Sequence, residues 1–201
     1  MIYANNNRIE GAHITNNDYG IGLAFSSNNI LRGNSISGNR YNFGVWGWNF
    51  SDFVNDVDAS NTVDGKPICY WINKRDAAVS PEAGYVVLVN CTGITVRNLN
   101  LTNNEEGALL AYTTNSTITK NNITNNGFGI SFQESSSNSI SRNNIANNSG
   151  GVLLYNSSIN TISENNITNN WCSWFGFGID LTCSSHNFIY HNNFANNYKG
   201  Q

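Results

Sequence analysis

The sequence predicts an all-β chain wound as a right-handed parallel β-helix, a solenoid of about 22 residues per coil and roughly eight to nine rungs. Three observations predict it. Val96, Ile118, Ile140 and Ile162 recur every 22 residues, and Leu101, Ile123, Ile145 and Ile167 keep the same period. Two more columns, Val86-Ala108-Ile130-Val152 and Leu88-Leu110-Phe132-Leu154, follow it. Apolar and polar residues alternate within each short segment, as in Ile130-Ser131-Phe132, which is the period of a strand and not of a helix. Finally, the segments are bounded by Asn-Asn or Gly, residues that tolerate the left-handed backbone of tight turns.

Taken in order, the chain opens with two coils that match the repeat, Ile9, Ile14, Ile21 and Leu23, then Leu31, Ile36 and Val45. A two-residue extension lies near Arg40–Asn42. A long insert then spans 50–84, where Val63-Asp64-Gly65-Lys66 has the Asp-Gly signature of a type I′ hairpin and Ile68–Ile72 reads as a strand. Regular coils follow until a small insert at 171–175 pushes the last coil, Ile189 and Phe194, to a spacing of 27. One coil alone exposes its apolar side, whereas coils stacked at ~4.8 Å cover one another and make a rod roughly 40 Å long. Asn121, Asn143, Asn165 and Asn192 fall in one column and are expected to form an amide ladder. Residues 1–201 are therefore read as a single β-helix domain, a piece of a longer chain, since neither end carries a cap. Uncapped rungs also imply end-to-end self-association.

Composition narrows the function. Asn occurs 40 times, and hydrophobic residues still make up 39%, enough to build a core and exclude disorder. Charged residues are only 11% and the net charge is -3, so there is no basic footprint for nucleic acid. No apolar run is long enough to span a membrane, and no signal peptide is visible at Met1.

The units NSTITKNNITNNGFGISF and FIYHNNFANN, with NTVDGKPICYW between coils, resemble archaeal NosD-like proteins of the carbohydrate-binding and sugar-hydrolase β-helix group. The resemblance covers nearly the whole chain. It implies a right-handed parallel β-helix in an extracytoplasmic setting, and a copper-binding or copper-maturation accessory role.

Solenoids carry function in inserts on one face. Aromatic residues gather there, and Trp46, Trp48, Trp71, Trp171, Trp174 and Phe175 are the candidates for stacking on a sugar ring or a partner protein. Rings that merely cap inserts against the rod would give the same pattern. Cys183, His186 and His191 lie close in sequence and offer thiolate and imidazole ligands for copper, while Asp52, Asp56 and Asp58 offer oxygens for Ca²⁺. Neither spacing matches an established metal motif, and no cofactor is required by the pattern. The four cysteines, Cys69, Cys91, Cys172 and Cys183, favour Cys69–Cys91 and Cys172–Cys183 bridges by proximity. Among the N-x-S/T sequons, Asn49, Asn115 and Asn156 lie at turns and are the candidates for glycosylation. Outward charges, such as Glu164 beside Arg142, read as cross-rung pairs rather than a catalytic carboxylate pair. The sequence thus favours a non-catalytic, extracytoplasmic module that presents a side surface to carbohydrate or a surface protein. A polysaccharide-modifying lyase, hydrolase or epimerase is the alternative, and a copper accessory protein the third.

Overall fold

The computed structural model describes residues 1–172 and 176–198. The repeat is realised as parallel strand ladders in a β-solenoid of about seven turns, fewer than the eight or nine the period implies. The shortfall comes from the insert, which builds a reversal in place of a regular coil. Two coils lead in: β1 (Arg8–Glu10), β2 (His13–Thr15) and β3 (Tyr19–Ala24), then β4 (Ile30–Arg32), β5 (Ser35–Ser37) and β6 (Tyr41–Trp46). A 3-10 turn at Phe50–Phe53 precedes β7 (Asp56–Val57), β8 (Thr62–Val63) and β9 (Lys66–Ile72). Four coils then repeat one plan: β10 (Tyr85–Val89), β11 (Thr95–Arg97), β12 (Asn100–Thr102); β13 (Glu106–Ala111), β14 (Thr117–Thr119), β15 (Asn122–Thr124); β16 (Phe128–Gln133), β17 (Ser139–Ser141), β18 (Asn144–Ala146); β19 (Gly150–Tyr155), β20 (Thr161–Ser163), β21 (Asn166–Thr168). The last coil is β22 (Ile179–Thr182), β23 (Phe188–Tyr190) and β24 (Asn193–Ala195).

The sequence columns are the strand register. Ile118 pairs with Ile140 and Ile140 with Ile162, and all three are 0% exposed. Ile123, Ile145 and Ile167 form a second such column. Each buried isoleucine contributes roughly 1.5–3 kcal/mol relative to an exposed one. The strands stop where the backbone turns into the left-handed region, at Lys120, Arg142, Glu164 and His191 on one corner and at Asn103, Asn125, Asn147 and Asn169 on the next. Just beyond those corners stand the ladders. Asn121 Nδ2 donates to Asn143 Oδ1, Asn143 to Asn165 and Asn165 to Asn192, at 3.0, 3.0 and 2.9 Å. A second ladder runs through Asn126, Asn148, Asn170 and Asn197. These amides also take up backbone carbonyls of neighbouring rungs, so a turn residue becomes part of the core's hydrogen-bond closure.

The Asp-Gly turn forms as its sequence requires. Asp64 and Gly65 have φ of 47° and 77°, and Val63 pairs antiparallel with Lys66. This hairpin reverses the chain, after which β9 pairs parallel with β10. One sheet, β2-β5-β8-β9-β10-β13-β16-β19-β22, consequently runs the whole length. Its two faces serve different cores. Val86 and Leu88 point into the core shared with Ile118, Ile140 and Ile162. Val87 and Val89, one residue away, point into a second core with Leu23, Leu31, Ile36 and Phe43. The first coils therefore do not extend a single rod. They form a smaller solenoid lying on the opposite face of the shared sheet, because reversing strand direction places the new coil interior on the other side.

Candidate functional site

Packing a small solenoid on the outer face of a large one creates a seam. Its contacts are specific. The Asn42 N–H donates to the Asn103 carbonyl at 2.7 Å, and the Glu105 N–H donates to Phe43 O at 2.9 Å. The Tyr41 hydroxyl lies 3.1 Å from Ser149 Oγ, and the Phe43 and Tyr85 rings meet at 5.5 Å. The two-residue extension expected near Arg40–Asn42 is absent, since Tyr19 pairs with Tyr41 and Ile21 with Phe43 at the ordinary 22-residue spacing; the residues there form this edge of the smaller solenoid.

Three recesses line the seam. An open groove of about 660 Å³ runs between the Gly38–Tyr41 corner and the stacked amides of Asn125, Asn147 and Asn169, with Trp171 at its border. A recess of about 240 Å³ is lined by Tyr19, Arg40, Tyr41, Glu105 and Ser149. An aromatic cleft of about 190 Å³ is lined by Phe25, Trp46, Trp48, Gln133 and Tyr155. Groove and recess share Arg40, Tyr41 and Ser149, while recess and cleft share Phe128. Trp48 is 58% exposed, and its ring lies 5.5 Å from Tyr155 and 6.1 Å from Phe25. Trp171 is 64% exposed and meets the Tyr198 ring edge-on at 5.1 Å.

Two adjacent acids sit at the centre of the seam. Glu106 is 2% exposed and accepts a 2.6 Å hydrogen bond from the Tyr85 hydroxyl. Burial, then the neighbouring Glu105 charge, holds it well above the usual carboxylate range. Burial also raises Glu105, to about 7, against the opposing hydrogen bond of Tyr19 and the charge of Arg40. Glycines make room for this carboxylate: a Cβ at Gly44 would stand 2.5 Å from Glu105 Cβ, and one at Gly127 would stand 3.0 Å from its Oε1. Neither acid was weighed as a site from the sequence. The signal was present, since Glu106 stacks on Phe128 and that on Gly150, so an acid interrupts an apolar and glycine column.

The structure brings Trp46 and Trp48 together in the aromatic cleft and places Trp171 on the groove. Trp71 lies elsewhere, packed on the end of the large core with the Lys74 ammonium 5.8 Å from its ring centre. Trp174 and Phe175 lie outside the described residues. Asn49 and Asn115 are exposed, whereas Asn156 donates to Glu134 at 2.7 Å.

The residues expected to bind metal or form disulfides are placed as follows. Among the described residues no three His, Cys, Asp or Glu side chains converge on a point that could hold an ion. Cys183, His186 and His191 each occupy a separate left-handed corner of the last coil. The aspartates are otherwise engaged: Asp56 and Asp58 pair with Arg32, and Asp52 accepts from the Trp48 and Asn49 amides. The described residues therefore fit neither copper nor Ca²⁺. Cys69 and Cys91 are free thiols on the large core, and burial, then proximity to Cys91, pushes Cys69 up to about 12. Cys183 is a free, exposed thiol, so no bridge joins it to Cys172.

A protein-family description, "Periplasmic copper-binding protein (NosD)", matches residues 52–200. No curated protein matches the chain. Among solved structures, a double mutant of the periplasmic alginate epimerase AlgG matches with a TM-score of 0.42 at 15% identity, covering 93% of this chain and 50% of that one. The chain thus spans about half the length of that structure. No helix among the described residues is long and apolar enough to cross a membrane.

Proposed function

This chain belongs to the NosD family, and on that premise we propose that it is an extracytoplasmic β-helix protein whose inter-solenoid seam binds a carbohydrate chain. The observation that carries the reading is the continuity of groove, recess and aromatic cleft along one seam. The groove offers amides repeated at the ~4.8 Å rung spacing, each with both donors and an acceptor. Such a row suits a polyhydroxylated polymer with repeating units. Trp46, Trp48, Tyr155 and Trp171 add ring faces at the two ends, where a sugar's apolar C–H face can stack. The open shape of the groove suits an extended chain better than a small enclosed ligand.

A protein partner is the weaker reading, because interface cores are enriched in apolar and aromatic residues and the groove wall is chiefly amide. The family description speaks of copper, yet the described residues supply no ligand cluster for it. Asn49 and Asn115 are our candidates for glycan attachment, since both are exposed away from the ladders.

Titration calorimetry against a panel of oligosaccharides tests the proposal. Binding to at least one, weakened at least tenfold in a Trp48→Ala, Trp171→Ala double variant with an unchanged melting temperature, supports it. Absence of binding across neutral and acidic sugars, or binding that the double variant leaves unchanged, refutes it.

A further inference from the structure

We propose that the recess walled by Tyr19, Arg40 and Glu105 is an acidic-sugar subsite, in which the Arg40 guanidinium pairs with the carboxylate of a uronate residue and the Glu105 carboxyl hydrogen-bonds its hydroxyl. The inference rests on the carbohydrate reading and names the class of sugar.

Among the described residues Arg40 is the one charged side chain lining the groove, and the recess opens from the groove at this residue. Among the described residues it makes no salt bridge, although Arg8, Arg32 and Arg142 all do. Its guanidinium lies 5.2 Å from the Tyr41 ring centre, a stacking contact that orients the planar fork. A lone, oriented guanidinium matches a planar carboxylate, which it grips with two parallel hydrogen bonds.

Glu105 supplies the independent second observation. The residue is 8% exposed, and its Oε2 has no hydrogen-bond partner. The backbone around it is fixed, with its N–H on Phe43 O and its carbonyl accepting from the Phe128 N–H at 2.6 Å. An unsatisfied buried oxygen of this kind is costly unless something pairs with it. A ligand hydroxyl in the recess would do so.

The two groups are also linked through charge. Glu105 faces Tyr19 of β3, Arg40 just before β6, Tyr41 at its start, Tyr85 of β10, Cys172 across the recess and its own neighbour Glu106. Of these only Arg40 is cationic. With Glu105 protonated, Arg40 is available to an incoming carboxylate. Ionised Glu105 competes for the same cation and repels the ligand. Burial places this change near pH 7, so affinity for an acidic sugar rises as pH falls from 8 to 6, and affinity for a neutral sugar does not.

The test compares a galacturonate oligosaccharide with its methyl-esterified counterpart, which has the same length and linkage but no charge. Affinities of wild type, Arg40→Met and Glu105→Gln are measured at pH 6 and pH 8, with melting temperatures as a folding control. Wild type is expected to prefer the acid at pH 6 by about tenfold or more, as a charge-assisted pair implies. Arg40→Met loses that preference and still binds the ester, and Glu105→Gln keeps the preference at both pH values. Equal affinity of wild type for acid and ester, or a preference that survives in Arg40→Met, overturns the subsite and leaves the carbohydrate reading standing. Failure of wild type to bind either oligosaccharide, alongside no binding to any other sugar, overturns both.

Discussion

Replacing Glu105 with Gln removes one titration from the seam while keeping the side chain's size. Burial moves the group from 4.5 to about 7, which at 1.36 kcal/mol per pH unit amounts to on the order of 3 kcal/mol. The sign follows from which state holds the proton. Between these values the folded chain keeps a proton that the unfolded chain has released. The contribution is therefore fully present below pH 4.5 and is lost as pH rises through about 7. Glu106 is raised in the same direction, first by burial and then by the Glu105 charge. Gln has no proton to lose, so Glu105→Gln should match wild type at pH 5 and exceed it by up to about 3 kcal/mol at pH 8.5. With a urea m value of about 1–3 kcal/mol per molar, the midpoint should rise by roughly 1 M or more at the higher pH. Tryptophan fluorescence reports the transition, since Trp46 and Trp48 line the seam. Parallel pH profiles for the two proteins would refute the electrostatic reasoning, as would a variant less stable at pH 8.5 than wild type.

Other expectations follow from the same geometry. Ile140→Ala should cost about 2–5 kcal/mol, and Ile140→Asp more, because Ile118 and Ile162 sandwich the site; thermal unfolding of both variants checks the order. Gly65→Val should destabilise by at least about 1–2 kcal/mol, since φ is 77° at the hairpin that separates the two solenoids, and denaturant titration reads it. Native labelling with a thiol reagent followed by mass spectrometry should modify Cys183 well before Cys91, which is buried and donates to the Trp71 and Val89 carbonyls.

What the sequence disclosed and what it hid divide along a physical line. Columns such as Ile118-Ile140-Ile162 and the Asn121 ladder were legible because each coil repeats one environment, and a 22-residue period is a direct record of it. The Asp64-Gly65 turn was legible because its backbone angles demand those residues. Its consequence was not. Whether a hairpin extends a rod or folds it back depends on which face of β9 and β10 is covered, and Tyr85–Val89 is apolar on both faces. That double-sided run was the available clue. The site followed from the same blind spot, since Arg40, Glu105 and Tyr155 come together only through the docking of one solenoid on the other. Trp46 and Trp48 were candidates from the sequence as aromatic residues, but a single rod offered them no opposing wall.

The most direct test is diffraction from crystals of the chain grown with an oligosaccharide. The account predicts sugar rings in the seam, between the Gly38–Tyr41 corner and the amides of Asn125, Asn147 and Asn169, with the next ring toward Arg40. Sugar bound only on the outer face carrying Asn122, Asn144 and Asn166, with the seam left to solvent, would contradict it.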